Sequence, residues 1–255
     1  MDIIIFSGQS NMQGQTESCP CEPAVKGAYE YRFFENKLIP LRHPVGENIG
    51  NIFLAAHEGH GSLIPDFCRA YIASTGKETM AVHIAKGGTT IAEWLPEHVS
   101  ERYFMAVRKA KNARRKAGEI GKMYFVWLQG ESDAIEGTSQ IDYENRMLKF
   151  RENLVKDLKI DGFFIIRMGK FVQDSRDIEI LRAQENLCDG EKFVMLTRIS
   201  GVLTQCPKYM NPYAAGHYNN AGMKLLGTAA GENLARIRLG RKIVLEEEPY
   251  KEMKR

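Results

Sequence analysis

Five short apolar runs punctuate the chain, at residues 3–6, 80–85, 123–128, 162–167 and 193–197. Each is enriched in β-branched or aromatic residues and has little polar alternation. That pattern suits strands covered on both faces. Between the runs lie amphipathic stretches of helical length, at about 62–75, 99–117, 141–158, 177–188 and 220–238. Strands separated by helices imply right-handed crossovers. The pattern therefore predicts an α/β fold, a three-layer α/β/α sandwich around a five-stranded parallel sheet.

Two regions fall outside the alternation. Residues 16–61 carry Gly, Pro, Cys and aromatics without sustained periodicity; an irregular segment of this length is expected to cover part of a cleft. The charged tail, about 242–255, reads as a solvated or frayed end. No repeat, low-complexity tract or linker divides the chain, so residues 1–255 are read as a single domain.

Composition narrows the function classes. With 255 residues, 44% hydrophobic and 26% charged, the chain is ordinary for a soluble globular protein. A net charge of +3 is too small to point to nucleic acid. The basic run at 108–116 lies on an amphipathic helix, where a solvated outer face explains it. No apolar stretch reaches membrane-spanning length. The first strand starts directly after Met1-Asp2, which leaves no room for a signal peptide, and the five cysteines are odd in number. Reduced thiols in a cytoplasm are the expectation.

Candidate chemistry sits where strands end. Ser7-Gly8-Gln9-Ser10-Asn11-Met12 terminates the first run and sets a hydroxyl at the carboxyl edge of the sheet. Lys86-Gly87-Gly88-Thr89-Thr90 follows the second, and Gln129-Gly130-Glu131-Ser132-Asp133 follows the third. Gly216-His217-Tyr218 precedes the last helix. A parallel sheet brings such segments to one edge, where α/β proteins bind ligands. Each has a simpler reading: Ser10 as a helix cap, Gly87-Gly88 as a tight turn, His217 as a structural histidine, and Asp133 as a cap or loop brace. Their combination favours the chemical reading. His57-Glu58-Gly59-His60 has the wrong spacing for a helical zinc site, and Cys19-Pro20-Cys21 is a poor metal or redox motif, so neither metal nor cofactor is expected.

Gly8-Gln9-Ser10-Asn11-Met12, Gly87-Gly88-Thr89, Gln129-Gly130-Glu131-Ser132-Asp133 and His217 together resemble the spaced blocks of SGNH hydrolases. Within that superfamily they are similar to the sialate O-acetylesterase and acetylxylan esterase branch, carbohydrate esterase family 6. The resemblance implies a flavodoxin-like sheet and deacetylation of sugar hydroxyls. It implies Ser10 as nucleophile and His217 as general base. It also implies an oxyanion hole made by the Ser10 and Gly88 N–H groups and the Gln129 amide. The family pattern expects an aspartate three residues before the histidine, where this chain has Ala214. Glu131 is the candidate replacement acid, because its strand end faces the same cleft. Asn211 is the nearest upstream polar residue, and a Ser–His dyad held by a backbone carbonyl is the other possibility.

Gln9 and Asn11, flanking the serine, are candidate substrate contacts. Trp94 is a candidate platform for a sugar ring, with a place in the core as its alternative. The expected partner is an acetylated carbohydrate, of xylan, xylo-oligosaccharide or sialate type. Two competing classes remain open at this point: a non-catalytic carbohydrate-binding or sensing protein, favoured by Ala214, and a nucleotide or flavin binder on the same fold.

Overall fold

The computed structural model describes residues 1–56, 60–188 and 191–253. All five expected strands form: β1 (Asp2–Gly8), β4 (Thr79–Ala85), β5 (Met123–Leu128), β6 (Gly162–Ile166) and β7 (Val194–Thr197). The five-strand count is corrected to seven. Strands β2 (Ala28–Arg32) and β3 (Lys37–Pro40) come from the segment read as irregular, and the sheet order is β3-β2-β4-β1-β5-β6-β7. Every neighbouring pair is parallel except β2 and β3, which run antiparallel at one edge. These two strands escape pattern reading for physical reasons. β3 is largely exposed, and β2 turns a charged residue inward: Glu30 is buried, and its Oε1 accepts the Gly46 N–H at 2.8 Å.

Both faces of the sheet are covered, as uninterrupted apolar strands require. Successive β1 residues alternate sides. Ile3 and Ile5 pack in one core with α3 (Arg102–Ala117), α5 (Gln140–Leu158) and α6 (Ser175–Cys188). Ile4 and Phe6 pack in the other with α2 (Ile64–Thr75) and α8 (Asn220–Arg238). Three short helices complete the set: α1 (Ser10–Gln13), α4 (Glu131–Glu136) and α7 (Ile199–Leu203).

Two charge assignments also change. Lys109, inside the basic run, is fully buried and pairs with Glu47 at 3.2 Å, whereas Arg108, Lys111, Arg114 and Arg115 are exposed as expected. The tail is docked rather than frayed. The Glu246 carboxylate accepts from Thr197 Oγ1 at 2.8 Å and from the Arg198 N–H at 2.7 Å, Glu248 pairs with buried Arg167, and Tyr250 is 4% exposed. The acidic residues of the tail find cations at the β6 and β7 ends, a long-range match that no local pattern reports.

The exit from β1 positions everything that follows. Gly8 has φ +144°, and a Cβ there would lie 1.9 Å from the Leu128 carbonyl oxygen. Only glycine can pass this close to β5 in that conformation. The next N–H, of Gln9, donates to the same Leu128 oxygen at 3.1 Å, and α1 starts one residue later.

Candidate active site

Four strand-end segments converge on a cleft of about 310 Å³ whose lining includes Ser10, Lys86, Gly88, Ser132, Phe171 and His217. Ser10 opens α1 and is 6% exposed. Its hydroxyl makes no hydrogen bond among the described residues, and neither its own N–H nor that of Gly88 has a backbone partner. Two unpaired donors thus stand beside a free hydroxyl. The neighbouring Gly87 N–H is committed to Gln13 Oε1 at 2.9 Å, while Gln13 Nε2 reaches the Ala55 carbonyl at 2.9 Å. Part of the segment 16–61 does reach the cleft, through Leu54. A larger groove of about 720 Å³, lined by Val25, Tyr29 and Ile72 among others, holds none of these groups.

His217 sits in the loop before α8. Its Nδ1 lies 3.0 Å from the Ala215 carbonyl oxygen, and its buried Nε2 has no partner among the described residues. A carbonyl can only accept, so Nδ1 carries the proton and Nε2 keeps its lone pair. Burial lowers the imidazole pKa below the usual histidine value, opposed in part by the Ala215 and Ala214 backbone groups. No hydrogen bond joins Nε2 to Ser10, although both residues line the same cleft.

Three of the expected site residues are placed otherwise than the sequence suggested, and for a fourth, Trp94, the core alternative is the one the structure has. The Glu131 carboxylate does not reach the imidazole: its Oε1 accepts from Asn11 Nδ2 at 2.8 Å, and that same amide reaches the Gly216 carbonyl at 3.3 Å. The Ala215 carbonyl stands where an acid was sought. Asn11, 1% exposed, is therefore a tie between α1, α4 and the histidine loop rather than a surface for substrate. The Gln129 amide is fully buried, with Nε2 donating to the Thr89 carbonyl at 2.9 Å and to Asp133 Oδ2 at 2.5 Å, so it has no N–H left for an oxyanion. Trp94 is core. Its ring packs against Phe53 at 5.9 Å and Trp127 at 5.2 Å, and Nε1 holds Thr89 Oγ1 at 3.1 Å.

The other named residues line the cleft or brace its loops. Gln9 lies on the cleft wall, with its Oε1 accepting the Ser132 N–H at 3.1 Å. Asp133 is a loop brace, accepting the Ile91 N–H at 2.9 Å and Thr138 Oγ1 at 3.0 Å. Asn211 holds the histidine loop to Gln15 by a 2.8 Å bond from its Nδ2 to the Gln15 carbonyl. Among the described residues no group of three or more His, Cys, Asp or Glu side chains could hold a metal ion; His57, Glu58 and Gly59 lie outside them. No helix among them is long and apolar enough to cross a membrane.

Sequence reasoning missed Phe171, which lines the cleft from the segment after β6. The available signal was its position, since it follows a strand end as the other blocks do.

Because Glu131 is buried beside Asp177 and Asp133, its carboxyl pKa is raised, with desolvation the largest cause. A raised folded-state pKa means that the fold favours the protonated form. The associated stability is present below about 4.5, the ordinary glutamate value, and is lost as pH rises. Glu131→Gln is therefore expected to melt no lower than wild type at neutral pH and to keep kcat within about threefold, since the amide can still accept from Asn11. A kcat loss of two orders of magnitude in the folded variant would return a direct role to the carboxylate.

Comparison with known proteins gives a consistent set of matches. The family model described as carbohydrate esterase, sialic acid-specific acetylesterase matches residues 1–228. A protein of Arabidopsis thaliana described as a probable carbohydrate esterase is 27% identical over 215 residues, which is 74% of this chain and 79% of that one. Among solved structures, an Arabidopsis thaliana protein superposes with a TM-score of 0.70 at 19% identity, covering 94% of this chain and 98% of its own. NanS superposes with a TM-score of 0.72 at 13% identity over the same shares. A carbohydrate acetylesterase from Xanthomonas citri superposes with a TM-score of 0.58 at 15% identity, over 95% of this chain and 58% of that one.

Proposed function

The chain belongs to the sialic acid-specific acetylesterase family of carbohydrate esterases, and on that premise we propose that it deacetylates its sugar through an acetyl-Ser10 intermediate. Family membership makes the protein a carboxylic ester hydrolase acting on acetylated carbohydrate, which sets aside the binding-protein and flavin readings.

In the proposed cycle, Ser10 Oγ attacks the acetyl carbonyl carbon while His217 Nε2 takes the hydroxyl proton. The carbonyl oxygen becomes an oxyanion and accepts from the Ser10 and Gly88 N–H groups. Preorganised donors of this kind contribute about 3 kcal/mol each to lowering the barrier. Collapse breaks the bond to the sugar oxygen, which leaves with the proton from His217. Water then gives its proton to the same nitrogen and attacks acetyl-Ser10. Acetate departs, and the hydroxyl is restored. The single observation that carries this reading is the 3.0 Å contact of His217 Nδ1 with the Ala215 carbonyl, which favours the tautomer with the proton on Nδ1 and leaves Nε2 a base. The carbonyl fixes the ring as an aspartate would, but without a charge to stabilise the imidazolium.

Within the acetylated sugars, the sialate type is favoured over xylan-derived ones. Among the described residues, Lys86 is a cation lining the cleft with no ion pair, and no carboxylate lines that cleft. An ammonium placed this way attracts a sugar acid and gains nothing from a neutral xylose unit.

Rapid quenching of the enzyme with an O-acetylated sialic acid, followed by mass analysis of the peptide bearing Ser10, tests the chemistry. One acetyl group on Ser10 is the expected result, and turnover with the acetyl group on another residue would overturn it. In parallel, kcat/KM is expected to be higher for the O-acetylated sialic acid than for an acetylated xylo-oligosaccharide. Equal or reversed values would overturn the sialate preference alone.

A further inference from the structure

With no carboxylate behind it among the described residues, the imidazole of His217 depends on packing for its orientation. One hydrogen bond to Ala215 fixes a point on the ring and leaves rotation about that bond open. Phe171 closes this freedom. Its ring meets the imidazole edge-on, with centroids 6.1 Å apart and planes at 87°. It also seats against Gly216, where φ is +75° and a Cβ would lie 1.9 Å from the Phe171 ring.

The segment bearing Phe171 is held from two sides. On one side Asp177, buried in the first turn of α6, accepts the N–H groups of Phe171 at 3.0 Å, Val172 at 3.1 Å and Gln173 at 2.6 Å. On the other side the hold comes from the C-terminal tail. The Tyr250 hydroxyl accepts the Lys170 N–H at 2.9 Å and shares a 2.8 Å hydrogen bond with Thr204 Oγ1. Lys170 Nζ lies 5.0 Å from the centre of the Tyr250 ring and 3.1 Å from the Glu252 carboxylate, and the Arg167 guanidinium lies 5.7 Å from the same ring centre. Glu248 ties this tyrosine's neighbourhood to Arg167. The family model stops at residue 228, so this strap lies outside the matched part of the chain.

We propose that the C-terminal strap is a positioning device for catalysis: Tyr250 holds Lys170 and Phe171 so that Phe171 keeps the His217 imidazole directed at Ser10. The proposal rests on the reading of His217 as general base. Tyr250 acts through Phe171 and touches neither substrate nor reacting atoms, so it is a positioning residue. Small displacements of a catalytic group are costly: a shift of about 1 Å can lower a rate by about a hundredfold.

The test uses the full-length protein and 4-nitrophenyl acetate, a substrate with no sugar to contact the cleft wall. Tyr250→Phe keeps the ring beside Arg167 and Lys170 and removes the acceptor of the Lys170 N–H together with the hydrogen bond to Thr204 Oγ1. Its kcat, corrected for folded fraction, is expected to fall about tenfold with KM unchanged. Phe171→Leu is expected to lose more, and Phe171→Tyr to recover most of that loss by restoring the ring. Wild-type kcat in folded Tyr250→Phe would overturn the proposal, as would an equal loss in both Phe171 variants. Should Tyr250→Phe fail to fold, the two Phe171 variants decide the outcome. Activity retained in His217→Ala would instead sink the general-base reading, a result separate from these.

Discussion

Ser10→Ala is expected to lower kcat for acetyl ester hydrolysis on the order of 10⁴- to 10⁶-fold, with the melting temperature essentially unchanged. The size of the loss follows from the proposed covalent role: on that reading, without Oγ no acetyl-enzyme forms, and water must attack the ester directly. Some catalysis should survive, because the N–H groups of residue 10 and Gly88 are backbone and remain to bind an oxyanion. Stability is spared because the Ser10 hydroxyl makes no hydrogen bond among the described residues, so its removal leaves no partner stranded. Hydrolysis of 4-nitrophenyl acetate, set beside thermal unfolding, measures both. A folded Ser10→Ala enzyme with near-normal kcat would require a different nucleophile.

His217→Ala should cost a comparable factor, on the order of 10⁴-fold or more, because nucleophile and base act as one unit. The wild-type pH profile gives a second reading of the same residue. Only the neutral imidazole can take the proton from Ser10. Burial holds the His217 pKa below the ordinary histidine value of 6.5, so the base form persists to lower pH than in a free histidine. The acid limb of kcat/KM is therefore expected to have its midpoint below 6.5, where it reports the free enzyme. A midpoint above 6.5 would mean that a carboxylate faces the ring in solution, contrary to the Ala215 carbonyl contact.

The parts of this protein legible in its sequence are those that depend on chain direction and local pattern. Apolar runs such as 123–128 predict buried strands because nothing polar interrupts them. Parallel strands then oblige the segments after residues 8, 85 and 128 to share one edge, so Ser10 and Gly88 could be placed together before any contact was known. The edge hairpin β2–β3 was not legible, since it buries Glu30 and exposes β3. The docked tail was equally hidden, because Glu246 and Glu248 read as solvated charges until Arg167 and Arg198 stand beside them.

Within the site the same division holds. The residue types that the proposed serine chemistry needs, their order and the gap at Ala214 all stand in the linear chain. Which of them face the cleft depends on rotamers and on neighbours brought together by the fold, in the case of Asn11 and Glu131 from 120 residues apart. Trp94 turned inward because an aromatic cluster around Trp127 and Phe150 removes more of its surface from water than the rim could. The Gln129 amide was drawn to Thr89 and Asp133 because a buried polar group must be satisfied. Glu131 met Asn11 first, and a backbone carbonyl took the place beside His217. A carbonyl is present at every residue, so its position in space, never its presence in the chain, tells which one orients the imidazole. Sequence alone thus supplied the α/β architecture, the edge that carries the site and most of its residues, Phe171 excepted. Packing decided which of them touch.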